Sequence, residues 1–287
     1  MEAREGMTRR MDRSPLLLCA RQELRLAVRS RWTQAFAAAF AALSLAVAAS
    51  GYVLSGGEGF QDFARTAASL TQLILLLVPL TSLVIGVLAL APERGAVELL
   101  YSQPVSRRHI LLGQLLGLFV ALAAAEAIGL GAAGLLIFSR AGSLGLGSYL
   151  ILFVASLAAT AVFLSVAALL SANGPGRRSR ALAIALIVWF VAVGLFDVAA
   201  LGFATLLPSG SASRLLILSV LANPVDAIRT GTLLGIEGTT AFGAASLAFL
   251  RFTRGTGGAA LWLVVSVLAW ALVPVFVAIR RLARADF

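Results

Sequence analysis

Residues 70–90 read LTQLILLLVPLTSLVIGVLAL, twenty-one consecutive positions without a charged side chain. About 20 apolar residues in a helix are enough to cross the hydrocarbon core of a bilayer. Five other stretches have a similar length and an almost uncharged composition: 35–54, 110–138, 149–170, 181–207 and 259–279. Over the 287 residues, 60% are hydrophobic and only 13% are charged, whereas soluble domains have about 25% charged residues. The sequence therefore predicts an all-α integral membrane protein with six transmembrane helices.

The predicted spans are numbered one to six in chain order and belong to a single transmembrane domain, residues 15–287, behind a tail at 1–14. Ser14 and Pro15 together predict a helix start, with serine as N-cap and proline in the first turn. The helix at 15–32 is amphipathic: one face carries Leu17, Ala20, Leu24, Val28 and Trp32, and another carries Arg21, Arg25 and Arg29. It is predicted to lie in the membrane interface, with its apolar side on the membrane and its arginines toward lipid phosphates or a partner.

The arginines predict the orientation, because cytoplasmic loops of membrane proteins are enriched in positive charge. The N-terminal segment holds eight arginines, and the loop 91–109, the turn at 171–180 and the C-terminal tail hold three each. Seventeen arginines therefore lie in segments on one predicted side of the membrane, compared with six on the other side. Both termini are therefore predicted to be cytoplasmic, in a bacterial inner membrane, with the connection 208–258 outside. Topology and anionic lipids account for the net charge of +10 without a nucleic-acid partner.

The composition excludes several kinds of chemistry. All 23 basic residues are arginine, so the chain lacks the lysine that a phosphate-binding P-loop requires. With one cysteine, Cys19, and one histidine, His109, neither an intrachain disulfide nor a Cys/His zinc cluster can form. The predicted spans contain no Cys, His or Met, which are the ligands that a soft-metal path would need. We predict no catalytic residue, no metal site and no bound cofactor in this chain, and no conduction of copper.

The loop 91–109 contains a regular arrangement of polar and turn-forming residues. Glu93, Gly95 and Glu98 open the loop, Pro104 divides it, and Arg107 with Arg108 leads into the third span. Such a polar rod suits docking to another protein. It is equally compatible with a simple polar loop that carries the positive charge of the cytoplasmic side.

This loop resembles the signature of ABC-2 type permeases, roughly E-x-G-T-x-E-L-L-x-x-P-V-S-R-R-x-x-x-x-G-K, with Gly113 at the last glycine. The sequence has Ala96 where threonine is common and Gln114 where lysine is common. Within that family the chain is most similar to the NosY branch, the permeases of NosDFY complexes. The stretches that carry this resemblance are Val188–Phe190, Phe196–Asp197, Asn223–Asp226 with Arg229, Gly235–Gly238 and Leu261–Leu263.

The resemblance implies a role for the whole chain. Glu93, Gly95, Glu98, Pro104, Arg107 and Arg108 would form a coupling helix that seats in a cytoplasmic ATPase, and the helix at 15–32 would be the elbow helix. The expected partners are a second copy of the chain, a dimeric NosF-like ATPase that holds ATP and Mg, a NosD-like periplasmic accessory protein and membrane lipids. ATP hydrolysis would then drive translocation, or mechanical control of the periplasmic partner, in maturation of the copper–sulfur site of nitrous-oxide reductase.

Three alternatives remain open from the sequence. An ABC-2 exporter of a lipid or hydrophobic small molecule would share the same motifs. A membrane carrier that works without an ATPase would usually show inverted repeats, and none is evident. An integral membrane enzyme would need polar groups converging at one depth, whereas the two carboxyl groups inside spans, Glu126 and Asp197, are predicted at different depths.

Glu126 and Asp197 are costly to place in a bilayer and therefore face protein or water. For Glu126, a polar lining at a dimer centre and a protonated carboxyl bonded to a neighbouring helix are both open, whereas for Asp197 a structural role is favoured. Gly113 and Gly117 form a G-x-x-x-G pair that permits close packing, within the chain or at a dimer seam.

The connection 208–258 contains two weakly amphipathic pieces, Arg214–Ala222 and Thr239–Phe252. They could lie on lipid or be re-entrant. The resemblance favours a platform for the periplasmic partner around Asn223, Pro224, Asp226 and Arg229.

Overall fold

A computed structural model describes residues 15–53, 60–91, 106–141, 146–172, 178–238 and 249–284. This part of the chain is helical throughout, with short caps and turns and no strand. We label its main helices α1 (Pro15–Arg29), α2 (Arg31–Val53), α3 (Phe60–Leu90), α4 (Arg107–Ala141), α5 (Leu146–Ser171), α6 (Arg178–Thr205), α7 (Ser209–Ala222), α8 (Pro224–Glu237) and α9 (Thr256–Arg284).

The six predicted spans are confirmed as helices that are long and apolar enough to cross a membrane: α2, α3, α4, α5, α6 and α9. Each of them begins three to ten residues before the predicted span, because a helix can extend beyond the apolar run by which it was predicted. Arg107 and Arg178 are examples, since both stand in the first turn of a helix and hydrogen-bond to neighbouring elements. The sequence thus located the apolar part of each helix and left out its polar first turn.

Three of these helices form the centre of the protein. In α3, α4 and α5, 56%, 50% and 56% of the most apolar window is buried inside the chain, compared with 22%, 11% and 22% in α2, α6 and α9. Fully buried side chains such as Phe40, Leu70, Leu118 and Phe163 fill the space between the helices. The apolar surface of α2, α6 and α9 is left for lipid or for another protein.

Two irregularities shape the C-terminal half. A π-helical turn, Val191–Leu195, interrupts α6, and such turns alter the backbone hydrogen-bond pattern and are frequent at functional sites. Helices α7 and α8 meet at 98° around Asn223, which we call the α7–α8 corner. Asn223 caps α8, with its side-chain oxygen accepting from Val225 N at 3.2 Å, and Pro224 occupies the first turn.

The corner corrects the predicted reading of the connection 208–258. The first amphipathic piece, predicted at Arg214–Ala222, is the greater part of α7. After it the chain starts a second helix, α8, which the sequence analysis did not predict. Most of the other predicted piece, Thr239–Phe252, lies outside the described residues.

Candidate functional site

Helix α1 packs against the beginning of α4 at the two glycines of the G-x-x-x-G pair. A Cβ atom built on Gly113 would lie 2.6 Å from Cys19 Cβ, and one built on Gly117 would lie 2.5 Å from Ala20 O and 2.8 Å from Leu24 N. Only glycine leaves room for a backbone so close, as in small-residue packing of membrane helices. The glycine pair therefore serves packing within the chain.

The face of α1 that meets α4 differs from the predicted apolar face. Ala20, Glu23 and Ala27 are buried, whereas Leu17 and Val28 are 56% and 50% exposed. The helix predicted at 15–32 ends at Arg29, so Trp32, predicted on the same face, lies in the first turn of α2, where it is 66% exposed. The helix thus has a small-residue face for α4 and a second apolar face that the chain itself does not cover. This packing face could not be recognised from hydrophobicity, because it consists of two alanines and a glutamate, whereas leucines of the same helix, such as Leu17 and Leu26, are exposed.

The arginines of α1 lie away from α4. Arg21, Arg25 and Arg29 are exposed, as an interfacial helix requires. Their contact with lipid phosphates or with a partner stays a prediction.

The predicted coupling residues divide into two groups. Glu93, Gly95, Glu98 and Pro104 lie outside the described residues. Arg107 and Arg108 form the first turn of α4, after Ser106, whose hydroxyl accepts from His109 N at 3.4 Å. The two arginines differ in environment and therefore in what they can contact.

Arg107 Nη1 donates to Leu282 O at 2.8 Å and so ties the start of α4 to the end of α9. Arg108 is exposed and therefore accessible to another protein. Of the two, Arg108 is the one whose replacement would test docking without loosening this internal contact.

Glu126 lies in the middle of α4 and is 1% exposed. Ser156 donates to its Oε2 at 2.5 Å, and Thr160 donates to its Oε1. Both partners belong to α5, so each carboxyl oxygen is hydrogen-bonded within one chain. This geometry favours the structural reading of Glu126, because its carboxyl is enclosed between two helices of the same protomer.

A second polar cluster joins α6 to the α7–α8 corner. Arg229 Nη1 lies 2.7 Å from Asp197 Oδ2 and 3.2 Å from Asp226 Oδ1. Asn223 Nδ2 donates to Asp226 Oδ2 and to Ala192 O, both at 2.8 Å. Ala192 belongs to the π-helical turn, so one amide connects that turn with the first turn of α8. Asp197 thus has the guanidinium of Arg229 as a partner within the same chain.

Helix α9 holds the other side of the same corner. The carbonyls of Leu221 and Ala222 stand at the end of α7, where Pro224 prevents further helical hydrogen bonds. Ser266 donates to Leu221 O at 2.6 Å, and Trp270 Nε1 donates to Ala222 O at 3.0 Å. Because the last carbonyls of a helix have no intrahelical partner, these two side chains, one turn apart on α9, supply their hydrogen bonds and fix the corner against the sixth span.

The predicted platform residues mostly face inward. Asn223 and Asp226 are 3% and 5% exposed, Pro224 is buried, and the Arg229 side chain is 23% exposed. They build the corner, and its exposed surface is provided by other residues of α7 and α8. Whether that surface meets a partner stays a prediction.

Two sequence patterns could have predicted features that the sequence analysis missed. Asn-Pro followed by an acidic residue is a common helix start, which would have located α8. The tryptophans inside spans carry an N–H that needs an acceptor when buried. Trp189 Nε1 donates to Leu76 O at 3.0 Å, close in sequence to Pro79 inside α3.

The described helices define a multi-pass membrane protein with six spans, an N-terminal helix packed on the third span, and a polar corner between the fifth and sixth. The family model described as "ABC-2 family transporter protein" matches residues 17–287. The chain therefore belongs to the ABC-2 family of transporter proteins, and the resemblance seen in the sequence is confirmed.

Two curated relatives are both described as "Probable ABC transporter permease protein NosY". The one from Pseudomonas aeruginosa is 35% identical over 257 residues, which cover 88% of this chain and 92% of the relative. The one from Stutzerimonas stutzeri is 35% identical over 265 residues, covering 90% and 94%. The chain is thus a permease subunit of an ABC transporter, similar to NosY, and the permease is the non-catalytic component in this family.

Proposed function

We propose that two copies of this chain couple ATP hydrolysis by a separate, dimeric cytoplasmic ATPase to events on the periplasmic side of a bacterial inner membrane. ATP and Mg are bound by the ATPase. The similarity to NosY over about nine-tenths of the chain carries this proposal, and it favours maturation of the copper–sulfur site of nitrous-oxide reductase as the process. The output is translocation of a small species or mechanical control of a periplasmic partner.

The proposed input is the cytoplasmic end of α4. The coupling loop leads directly into Arg107 and Arg108, and α1 packs on the same end at Gly113 and Gly117. A force on α1, or on the first turn of α4 at Arg107 and Arg108, therefore acts directly on α4.

The proposed transmission runs through α5. Glu126 on α4 accepts from Ser156 and Thr160 on α5, and Tyr149 of α5 donates to Leu130 O of α4. Helix α5 in turn packs against α8 and α9. Coupling between distant sites needs such contiguous contacts with two stable arrangements, and ATPase binding must differ between those arrangements to shift their populations.

The proposed output is the α7–α8 corner. Its polar contacts reach α6 through Ala192 and Asp197, and α9 through Ser266 and Trp270. A relative movement of the fifth and sixth spans would therefore change the angle between α7 and α8, which a periplasmic NosD-like protein could sense.

The proposal is tested by affinity purification from membranes in mild detergent, with bound proteins identified by mass spectrometry. We expect the wild type to retain an ABC ATPase and a periplasmic maturation protein, and Arg108→Ala combined with Glu93→Ala to lose the ATPase. Arg214→Ala combined with Arg251→Ala is the control, because both arginines are exposed and predicted on the opposite side. Loss of the ATPase from both variants, or from neither, would contradict the assignment of the coupling loop.

One observation favours a second candidate, an ABC-2 exporter of a hydrophobic molecule. A cleft of about 480 Å³ lies between α5, α8 and α9, and Thr232 and Thr256 are the only polar side chains among its lining residues. Val264→Trp would fill the cleft from α9. Under the exporter reading this variant stops transport, whereas under the maturation reading the copper–sulfur site of nitrous-oxide reductase is still assembled.

A further inference from the structure

A cavity of about 410 Å³ lies beside α1, between α1, the end of α3 and the starts of α2, α4 and α6. We call it the elbow cavity. The volume equals that of roughly a dozen liquid waters at ~30 Å³ each, so it can hold a polar headgroup. Leu26 and Trp32 contribute to its lining and are 58% and 66% exposed. Tryptophan beside exposed aliphatic side chains is typical of the membrane–water interface, where lipid headgroups are found.

The polar side chains of the cavity carry both signs of charge. Glu23 lines it and is 9% exposed, and Arg178 contributes a guanidinium whose Nη2 donates to Leu88 O at 2.8 Å. Thr33 also lines the cavity, is 4% exposed, and its Oγ1 has no hydrogen-bond partner among the described residues. A buried hydroxyl without a partner is costly, so a ligand that offers a hydrogen bond here is favoured.

Glu23 is the acidic side chain of α1, and its neighbour is neutral. Gln114 of α4 hydrogen-bonds to it at the position where lysine is common in the ABC-2 signature. Burial raises the pKa of the Glu23 carboxyl above its ordinary 4.5, and the hydrogen bond from Gln114 offsets part of that rise. A cation placed beside the carboxylate would remove this cost of burial, because an opposite charge favours the ionised form.

We propose that the elbow cavity binds the ethanolamine headgroup of an aminophospholipid, with the Glu23 carboxylate accepting hydrogen bonds from the ligand's ammonium. Thr33 supplies a further hydrogen bond, and the positive charge of Arg178 favours the phosphate that follows the ammonium. The acyl chains extend past Leu26 and Trp32 into the bilayer. The lipid would then brace α1 against α4, at the end of the third span where the proposed ATPase docks; the binding itself does not depend on that docking.

Three lipid classes distinguish this site from general attraction to the membrane. Phosphatidylethanolamine has an ammonium with N–H donors, phosphatidylcholine has the same charge without donors, and phosphatidylglycerol has no cation. Hydrogen bonds to charged groups contribute enough for a preference of about tenfold for ethanolamine over choline. Anionic lipid is attracted mainly to exposed arginines, which carry no such preference.

The test uses the purified full-length protein in mild detergent, titrated with each lipid at identical acyl chains. Bound lipids are counted by native mass spectrometry, and the thermal unfolding midpoint is recorded. We expect phosphatidylethanolamine to bind about tenfold more tightly than phosphatidylcholine and to give the larger stabilisation. Equal binding of the two would overturn the proposal and indicate that protein or water fills the cavity.

Two variants locate the preference at Glu23. Glu23→Gln removes the charge at constant size, and Gln114→Lys supplies an internal ammonium while introducing the residue common in the family, so that folding is retained. We expect both to lose the preference for ethanolamine. Arg29→Gln is the control, since it removes an exposed charge; it weakens binding of phosphatidylglycerol and keeps the preference. Retention of the preference in Gln114→Lys would contradict the proposed contact even if Glu23→Gln failed to fold.

Discussion

The contact between α1 and α4 predicts that Gly117→Ala partly detaches α1. A Cβ atom at position 117 would lie 2.5 Å from Ala20 O and 2.8 Å from Glu23 Cβ. Both distances are well inside van der Waals contact, and the first involves backbone, which cannot turn aside as a flexible side chain can. Helix α1 must therefore move away from α4 by several tenths of an ångström.

The expected cost follows from overpacking, which costs about 1–3 kcal/mol in a tight contact. Alanine also has a higher helix propensity than glycine, but this gain does not change docking, because α4 is helical whether or not α1 is docked. A loss of about 1–2 kcal/mol of docking energy, in the lower part of that range, raises the detached fraction roughly 5- to 30-fold.

Cys19 is a native reporter of this change, because it is the only cysteine of the chain and lies on α1. Its side chain is partly buried and its Cβ faces Gly113, so a maleimide reaches the thiol more easily when α1 is detached. The labelling rate is measured in detergent from the mass shift with time. We expect Gly117→Ala to label about 5- to 30-fold faster than the wild type.

Gly131→Ala is the matched control. A Cβ atom there meets nothing within 4 Å, although the residue lies on the same helix and gains the same helix propensity. We expect it to label at the wild-type rate. Our reasoning would be refuted by a wild-type rate in Gly117→Ala, or by equal acceleration in both variants.

Three further predictions follow from the polar contacts. Glu126→Ala removes the acceptor shared by two buried hydroxyls and should lower the unfolding free energy in a denaturant titration by about 2–6 kcal/mol; Glu126→Gln keeps an acceptor and should lose clearly less, so equal losses would argue against the hydrogen bonds. Asn223→Asp preserves an N-cap oxygen but places a carboxylate against Asp226, so it should destabilise by about 1–3 kcal/mol; a wild-type unfolding midpoint would show that the amide donor is dispensable. Because burial raises the pKa of Glu23, the protonated form is favoured in the folded protein, and the contribution of Glu23 to stability in lipid-free detergent should be largest below pH 4.5 and fall as pH rises through the raised pKa. Glu23→Gln should lack this slope in thermal unfolding, and an unchanged slope would assign it to another group.

The spans were predictable because the signal for crossing a membrane is local. A run such as residues 70–90 contains enough apolar length on its own, whichever helices surround it. The kinds of chemistry that the chain lacks were equally predictable, since they depend only on which residue types the chain contains. The family was recognisable from the spacing of Glu93, Gly95, Glu98 and Pro104, although these residues lie outside the part that the structure describes.

The partners of the buried polar groups were not predictable from the sequence. Glu126 bonds residues 30 and 34 positions away, and Asp197 bonds Arg229 at a separation of 32. Which carboxyl faces which hydroxyl or guanidinium depends on the rotation of each helix about its axis. That rotation is set by packing and leaves no periodic mark in sequences rich in alanine and leucine.

Sequence alone thus determined the class of protein, the number of spans and a predicted orientation, because each depends on composition and residue spacing along the chain and not on how the helices pack. The tertiary structure decided that Gly113 and Gly117 receive α1, and that Asn223 starts a new helix at a corner fixed by the fifth and sixth spans. These features arise where two helices pack within contact distance. The energy of that packing depends on the shapes and polar groups of both surfaces together, so neither segment of sequence predicts it alone.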